Sequence, residues 1–468
     1  MTKSSNPHPE DTRAPSRLGG LLFLLLGATL FAGLGFSYER SSNVAMADFK
    51  PLYYGARCLL TGCDLYSQQQ LQHLYFSESE DQPYDKIRLA NNVIWSYYPP
   101  TAYMLVAPIA ALPWRPAHLL WMTLTCATFL LAAFLIWELG SRSRPLACGL
   151  LVCLFLIGQE LLVEVGNASG LVVALCLIAV WCFLRRRFEL AGVLCLALGL
   201  AIKPHDAGPI WLYFLIAGGP FRKRALQTLL CAIVLSLPAV LWVQHLGPDW
   251  LPELRHNLAA TAAPGAINDP GPSGFEPRAH GAIVVSLQSV ISIYRDNPHF
   301  YNPLSYLICG LMLVVWLMIG LRSRFPRSLA PLALASVAVL SILPVYHRQH
   351  DLGLLLLTVP ACTLLLSNSR RIGAYAVFIT ASAAILLSNQ TIQFLAIVAA
   401  FIRATTHGLT GQVLALLLSR PAPIVLLAVA AFYLWAYSVE ARILRNSPQS
   451  TAAPVTLSSA ERAVATGI

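Results

Sequence analysis

Three short constellations in this chain join residue types that can move protons and hold phosphate. The first opens at Asp48, runs through Tyr53 and Tyr54, and continues into Gly62-x-Asp64-x-Tyr66. A carboxylate can take a proton or hydrogen bonds from hydroxyl groups, and aromatic faces can cover the apolar side of a sugar ring. Tyr98, within Tyr97-Tyr98-Pro99-Pro100, extends that aromatic set. The second constellation is Lys203-Pro204-His205-Asp206, a charged break inside an apolar run. The third is Tyr346-His347-Arg348-Gln349-His350-Asp351, with His347, Arg348, His350 and Asp351 crowded into one short turn. Lys203, His205, His347 and Arg348 suit an anionic phosphate, and the planar guanidinium fork suits it best. Each constellation has a plainer reading. Asp48 could cap the helix after it. Lys203 could snorkel beside a proline break. The third could be a polar turn at a water interface.

The elements that must hold these residues are membrane helices. The chain has 468 residues, of which 56% are hydrophobic and only 12% charged. A soluble protein carries about 25% charged residues, so disorder, collagen and a small disulfide scaffold are all excluded. The formal charge of +10 follows from basic residues collecting in cytoplasmic loops and is no sign of nucleic-acid binding. Most of the 11 cysteines sit in apolar runs without metal spacing and act as small hydrophobes.

A crossing helix needs about 20 apolar residues. The first candidate is 18–36, read as a retained helix rather than a cleaved signal peptide. Further stretches follow at 97–139, 146–164, 169–184, 189–219, 225–244, 302–321, 328–345, 352–367, 372–389 and 422–440. The basic clusters between them (Arg142/Arg144, Arg185–Arg187, Arg222–Arg224, Arg322/Arg324/Arg327, Arg370/Arg371 and Arg442/Arg445) are placed inside. Within 97–139, Pro108, Pro113 and Pro116 mark 97–112 as a dipping segment and 116–139 as the span. Between Arg187 and Arg222 each half is too short for an ordinary span, which predicts a recess at Lys203. The parity closes at about twelve crossings with both tails, 1–17 and 441–468, inside and a membrane domain over 18–440. Loops 37–96 and 245–301 then lie outside. The second carries Pro252, Pro264, Pro270, Pro272 and Pro277 and is expected to be mobile in part. Cys58 and Cys63 could pair or stay as thiols. The stretch 391–420 is either a further hairpin or helices in the outer interface. All three constellations fall on the outer face. Asn167-Ala168-Ser169 fits a glycosylation sequon but abuts a span and is set aside. The Arg185 triplet is explained by topology. A P-loop, a Rossmann glycine motif and a GxSxG elbow are absent from the sequence.

Asp48, Gly62-x-Asp64-x-Tyr66, Tyr98-Pro99-Pro100, Lys203-Pro204 and Tyr346-His347-Arg348-x-x-Asp351, in this order, resemble the GT-C membrane glycosyltransferases, and more narrowly glycosyltransferase family 87. The resemblance spans roughly 20–440, and order and shared sidedness carry it. It implies an all-α GT-C fold, a polyprenyl-phosphate sugar donor, a lipid or glycan acceptor and an outward-facing site in a bacterial inner membrane. It also implies inversion, usually from β-linked mannosyl phosphate to an α-mannoside. Asp48 takes the place of the general base. Lys203, His205, His347 and Arg348 would lie near the donor phosphate. Tyr53, Tyr54, Asp64, Tyr66, Tyr98, His350 and Asp351 would bind substrate. Membrane lipids are the expected surroundings, and neither cofactor nor metal is expected. His350 departs from relatives, which more often carry an aromatic there, and this leaves the sugar and acceptor open. A lipid-linked oligosaccharide polymerase or ligase is the alternative among enzymes. A transporter or lipid flippase, and a structural envelope subunit, are the alternatives from other classes.

Overall fold

The computed structural model describes residues 13–42, 45–266, 268–271, 284–405 and 408–446. Most of both expected cytoplasmic tails, and Pro272 and Pro277 of the expected second outer loop, lie outside the described residues. Those described are helical throughout, with no strand. A single bridge pairs Val284 with Arg348.

Eight helices are long and apolar enough to cross a membrane: Ser16–Ser41, Trp114–Ser141, Pro145–Val165, Ala168–Arg185, Gly219–Leu246, Pro298–Ser323, Gln349–Asn368 and Pro421–Asn446. A ninth is reached if Arg370–Leu386 and Asn389–Ile402, bent by 66° at their junction, count as one span. The remaining apolar helices are short, and their ends have local causes. Lys203 precedes a proline, whose ring pushes it out of the helical region, and it sits at φ −139°, ψ 84°. The helix Glu189–Ile202 therefore stops there, and Pro204 starts the helix Pro204–Ala217. Each is 14 residues long, about 21 Å at 1.5 Å per residue, short of the ~30 Å hydrocarbon core.

The first span packs closely on Pro145–Ile157, and Gly20 with Gly149 permits the approach. A Cβ on Gly149 would meet Gly20 O at 2.1 Å. Small residues let membrane helices approach in this way. The contact carries the segment after the first span to the end of the third span. There Met46 N donates to Glu164 O at 2.8 Å and Asp48 N to Val165 O at 3.0 Å. Gly166 turns the chain at φ +66°, where a side chain would strike Met46 Sδ. Trp121 Nε1 fixes that turn by donating to Gly166 O at 2.8 Å, and its ring stacks on Phe49 at 4.7 Å.

The segments 49–112 and 245–301 are tied to each other. Asn257 Nδ2, from the helix Trp250–Thr261, donates to Tyr66 O and to Ser96 O, both at 3.2 Å. Cys58 and Cys63 are joined as a disulfide, with Cα atoms 5.0 Å apart. Arg420 is fully buried at the start of the last span. Its guanidinium donates to Pro270 O at 3.0 Å, Gly271 O at 2.8 Å, Ser292 Oγ at 2.9 Å, and also Ser289 O. This staples Pro270–Gly271 and Ser289–Ser292 onto the helical body. Within 391–420 the helices Asn389–Thr405 and Leu409–Ser419 pack on each other.

Candidate functional site

Helix breaks gather the three constellations at one end of the bundle. Asp48 follows the first span, Asn167 separates the third and fourth, Lys203 splits a short pair, and Tyr346–Arg348 precede the span Gln349–Asn368. They surround a cavity of about 300 Å³. Asp48, Asn167 and His350 line it together with Lys203, Pro204, His205 and Arg348. Trp95, Tyr97, Tyr98 and Tyr346 give it aromatic walls, and Leu254, Leu258 and Thr261 reach in from the helix Trp250–Thr261, with Asn268 beyond it. An apolar groove of about 500 Å³ runs between Leu200–Trp211 and Leu229–Val240 and shares Pro204 with the cavity.

Asp48 stands at the cap position of the helix Phe49–Thr61, yet its side chain makes no capping bond. Its carboxylate turns to the cavity instead, where Asn167 Nδ2 donates to Oδ2 at 2.8 Å. The Asn167 amide cannot be flipped. Its Oδ1 already accepts from Ser169 N at 2.8 Å, so the amino group must face Asp48. His350 Nδ1 lies 3.9 Å from the same Asp48 oxygen.

Behind this wall a buried charge network runs across four segments. Lys203 Nζ lies 2.5 Å from Ser169 Oγ, 2.8 Å from Asp351 Oδ1 and 3.2 Å from Asp206 Oδ2. Ser169 and Asp351 take two of its three donors, and Asp206 pairs with it by charge alone. Asp351 Oδ2 accepts from the Arg348 backbone N at 2.8 Å, which shapes the turn. Arg348 donates to Asn268 Oδ1 at 2.9 Å and lies over the Tyr346 ring. His347 is fully buried, with Nδ1 3.1 Å from Val345 O and Nε2 3.0 Å from Asp206 Oδ1. Burial alone would push the His347 pKa down. The hydrogen bond to Asp206 and the Asp351 charge outweigh burial and hold it above the ordinary value. Both ring nitrogens face acceptors, so the imidazolium satisfies both. That contribution is complete at low pH and fades as pH rises through the raised pKa.

The expected site residues thus divide. Asp48, Tyr98, Lys203, His205, Arg348 and His350 line the cavity. His347 and Asp351 lie behind it, buried in the network. Tyr53, Tyr54, Asp64 and Tyr66 are absent from the lining. Tyr53 Oη donates to Leu112 O at 2.8 Å, and its ring meets Trp114 edge-on. Tyr54 packs against Tyr75. Helical periodicity causes this, because Phe49 and Tyr53 are one turn apart and share a face turned toward Trp114. Asp64 Oδ1 accepts from Tyr66 N at 3.0 Å and closes its own turn. Tyr66 Oη donates to Tyr98 O at 2.7 Å, so it bears on the cavity only through the Tyr98 backbone. Asn167 and Ser169, set aside in the sequence as part of a sequon, and Asn268, which the sequence did not single out, join the site here.

His205, Asp206 and His347 place ligand atoms within 4.8 Å of one another, a spacing a metal ion could use. Lys203 already stands 3.2 Å from Asp206 and supplies positive charge there. The arrangement is therefore a charge network with one carboxylate, Asp48, presented to the cavity opposite cationic and imidazole groups. Such a cavity can take a proton from one bound group while holding an anion beside it.

The sequence pattern of glycosyltransferase family 87 matches residues 95–345, more than half of the chain. That span includes Tyr98, Asn167, Lys203 and His205 and stops just short of Tyr346, while Asp48 precedes it. No curated protein and no solved structure matches the chain.

Proposed function

The chain belongs to glycosyltransferase family 87, and from that premise we propose that it moves one sugar from a polyprenyl-phosphate donor to an acceptor hydroxyl at the outer face of a bacterial inner membrane. The observation that carries this reading is the single cavity in which Asp48 faces His205 and Arg348 beside an apolar groove. The acceptor oxygen attacks the anomeric carbon from the face opposite the phosphate. A new C–O bond forms, the bond to the phosphate oxygen breaks, and the phosphate leaves with the electron pair. Asp48 takes the hydroxyl proton. A phosphate leaves without a second acid, and the charge growing on it is steadied by Arg348 and His205. Attack from the opposite face inverts a β-linked donor to an α-glycoside. Mannose is the sugar that the family resemblance implies.

The groove at Pro204 suits the polyprenyl tail, and a cavity at the low end of ligand-pocket volumes suits one sugar with its phosphate. In this reading residues 18–440 form a GT-C membrane domain of twelve crossings. These are the eight long helices together with Glu189–Ile202, Pro204–Ala217, Arg327–Ile342 and Arg370–Leu386. The arginine-rich helix ends and the segments 1–17 and 441–468 face the cytoplasm. The test is to offer the purified protein radiolabelled polyprenyl-phosphate mannose and a radiolabelled pyrophosphate-linked oligosaccharide. Transfer from the first is expected, and turnover of the oligosaccharide alone would overturn the reading.

Asn167 orients the base in this scheme. Replacing it by Ala removes the one donor fixed on Asp48 Oδ2 and leaves the carboxylate free to rotate. A misplaced catalytic group costs up to about 100-fold. Asn167→Ala is expected to lower kcat by roughly 10- to 100-fold with KM for the donor nearly unchanged. Initial rates across donor concentration separate the two, and an unchanged kcat would remove Asn167 from this role.

A further inference from the structure

Topology accounts for arginines collecting at the helix ends remote from the catalytic cavity. It does not require four of them to line one depression. Arg142, Arg185, Arg187 and Arg327 do so, with Glu138 and Trp181, around a polar cavity of about 320 Å³. They come from three places in the chain: the end of Trp114–Ser141, the end of Ala168–Arg185, and the turn before Ala330. The helix Ala168–Arg185 has 18 residues, so about 27 Å separates this cavity from Asn167 at its other end.

The charges do not cancel. Glu138 is the one acid in the lining, and its carboxylate is committed. Arg185 Nε and Trp181 Nε1 each donate to its Oε2 at 2.8 Å, and Arg142 stands 3.8 Å from Oε1. Arg187 makes no ion pair among the described residues. Arg327 is held in place by donating to Leu184 O. A preorganised excess of guanidinium groups of this kind matches the geometry of phosphate oxygens.

The surroundings point to a lipid rather than a soluble anion. Phe188 and Leu190, immediately beyond the arginine triplet, are 74% and 71% exposed. Phe188 also stacks against Trp181 of the lining. Charge excess, an indole and bare apolar side chains thus adjoin where one helix ends and the next begins. Basic pockets between membrane helices take anionic headgroups. We propose that this cavity binds the phosphodiester headgroup of an anionic lipid, with its acyl chains lying over Phe188 and Leu190.

The test uses the full chain in phosphatidylcholine nanodiscs doped with phosphatidylglycerol, with lipids retained per protein counted by native mass spectrometry. Arg142→Gln/Arg187→Gln removes two charges and leaves the Arg185–Glu138 pair intact. Near-surface basic residues contribute about fivefold each to anionic-lipid binding, so retention should fall on the order of 20-fold. Arg322→Gln/Arg324→Gln removes two charges outside the cavity and should keep wild-type retention. Equal retention in the cavity variant, or an equal fall in both variants, would overturn the proposal. Displacement of the lipid by an equal concentration of glycerol 3-phosphate would assign the cavity to a soluble phosphate and overturn it too.

Discussion

Asp48→Asn is expected to abolish sugar transfer while the protein still folds and inserts. The substitution keeps shape and removes basicity. Asn at position 48 can still accept the hydrogen bond that Asn167 now gives to Asp48 Oδ2, so the wall of the cavity should hold. The helix Phe49–Thr61 should not notice the change, because the Asp48 side chain makes no capping bond. What disappears is the one carboxylate in the lining, which in the proposed reading takes the proton of the acceptor hydroxyl. General-base catalysis contributes about 10²–10⁴-fold, and a loss in that range is expected at equal amounts of inserted protein. Transfer at the wild-type rate would remove Asp48 as the base. A parallel fall in inserted protein would mean a structural role instead.

Asp48 was legible because a carboxylate directly after a first apolar span is costly to ignore. Lys203 was legible because a charge inside an apolar run is by default functional. The partners of these residues were not legible. His347 and Asp206 meet across 141 residues, and no local pattern announces such a pair. Asn167 was hidden by its own context, since Asn-x-Ser beside a span reads as a sequon, whereas the triplet is a helix cap whose amide is turned onto Asp48. The aromatic residues after Asp48 misled for a different reason. A list of tyrosines carries no direction until the helix phase is known, and that phase points Tyr53 at Trp114. The apolar pattern located the membrane helices, but helix length alone gives eight spans, because proline breaks at positions such as Pro204 leave pieces shorter than a bilayer.

Lys203→Met tests the least intuitive part of the site. The sequence makes Lys203 a phosphate ligand, and a free ammonium would predict a raised KM for the donor with stability untouched. The geometry predicts otherwise. Two of its protons are engaged by Ser169 and Asp351, and its charge is shared with Asp206 3.2 Å away. Asp206 and Asp351 are themselves 0% and 1% exposed. Methionine would fill similar volume and leave two buried carboxylates with their shared cation gone. Breaking one side of a buried pair costs about 3–5 kcal/mol, a large share of a typical total of roughly 5–15 kcal/mol. The expected result is a marked fall in thermal stability in detergent together with loss of transfer. Lys203→Met/Asp351→Asn removes one of the stranded charges and should recover part of the stability. Transfer should not return, because the ammonium that ties Ser169 to position 351 is still missing. A single variant as stable as wild type, with only donor KM raised, would return Lys203 to the phosphate. Arg348 and His205 would then no longer stand as the principal cationic and imidazole contacts to the leaving group.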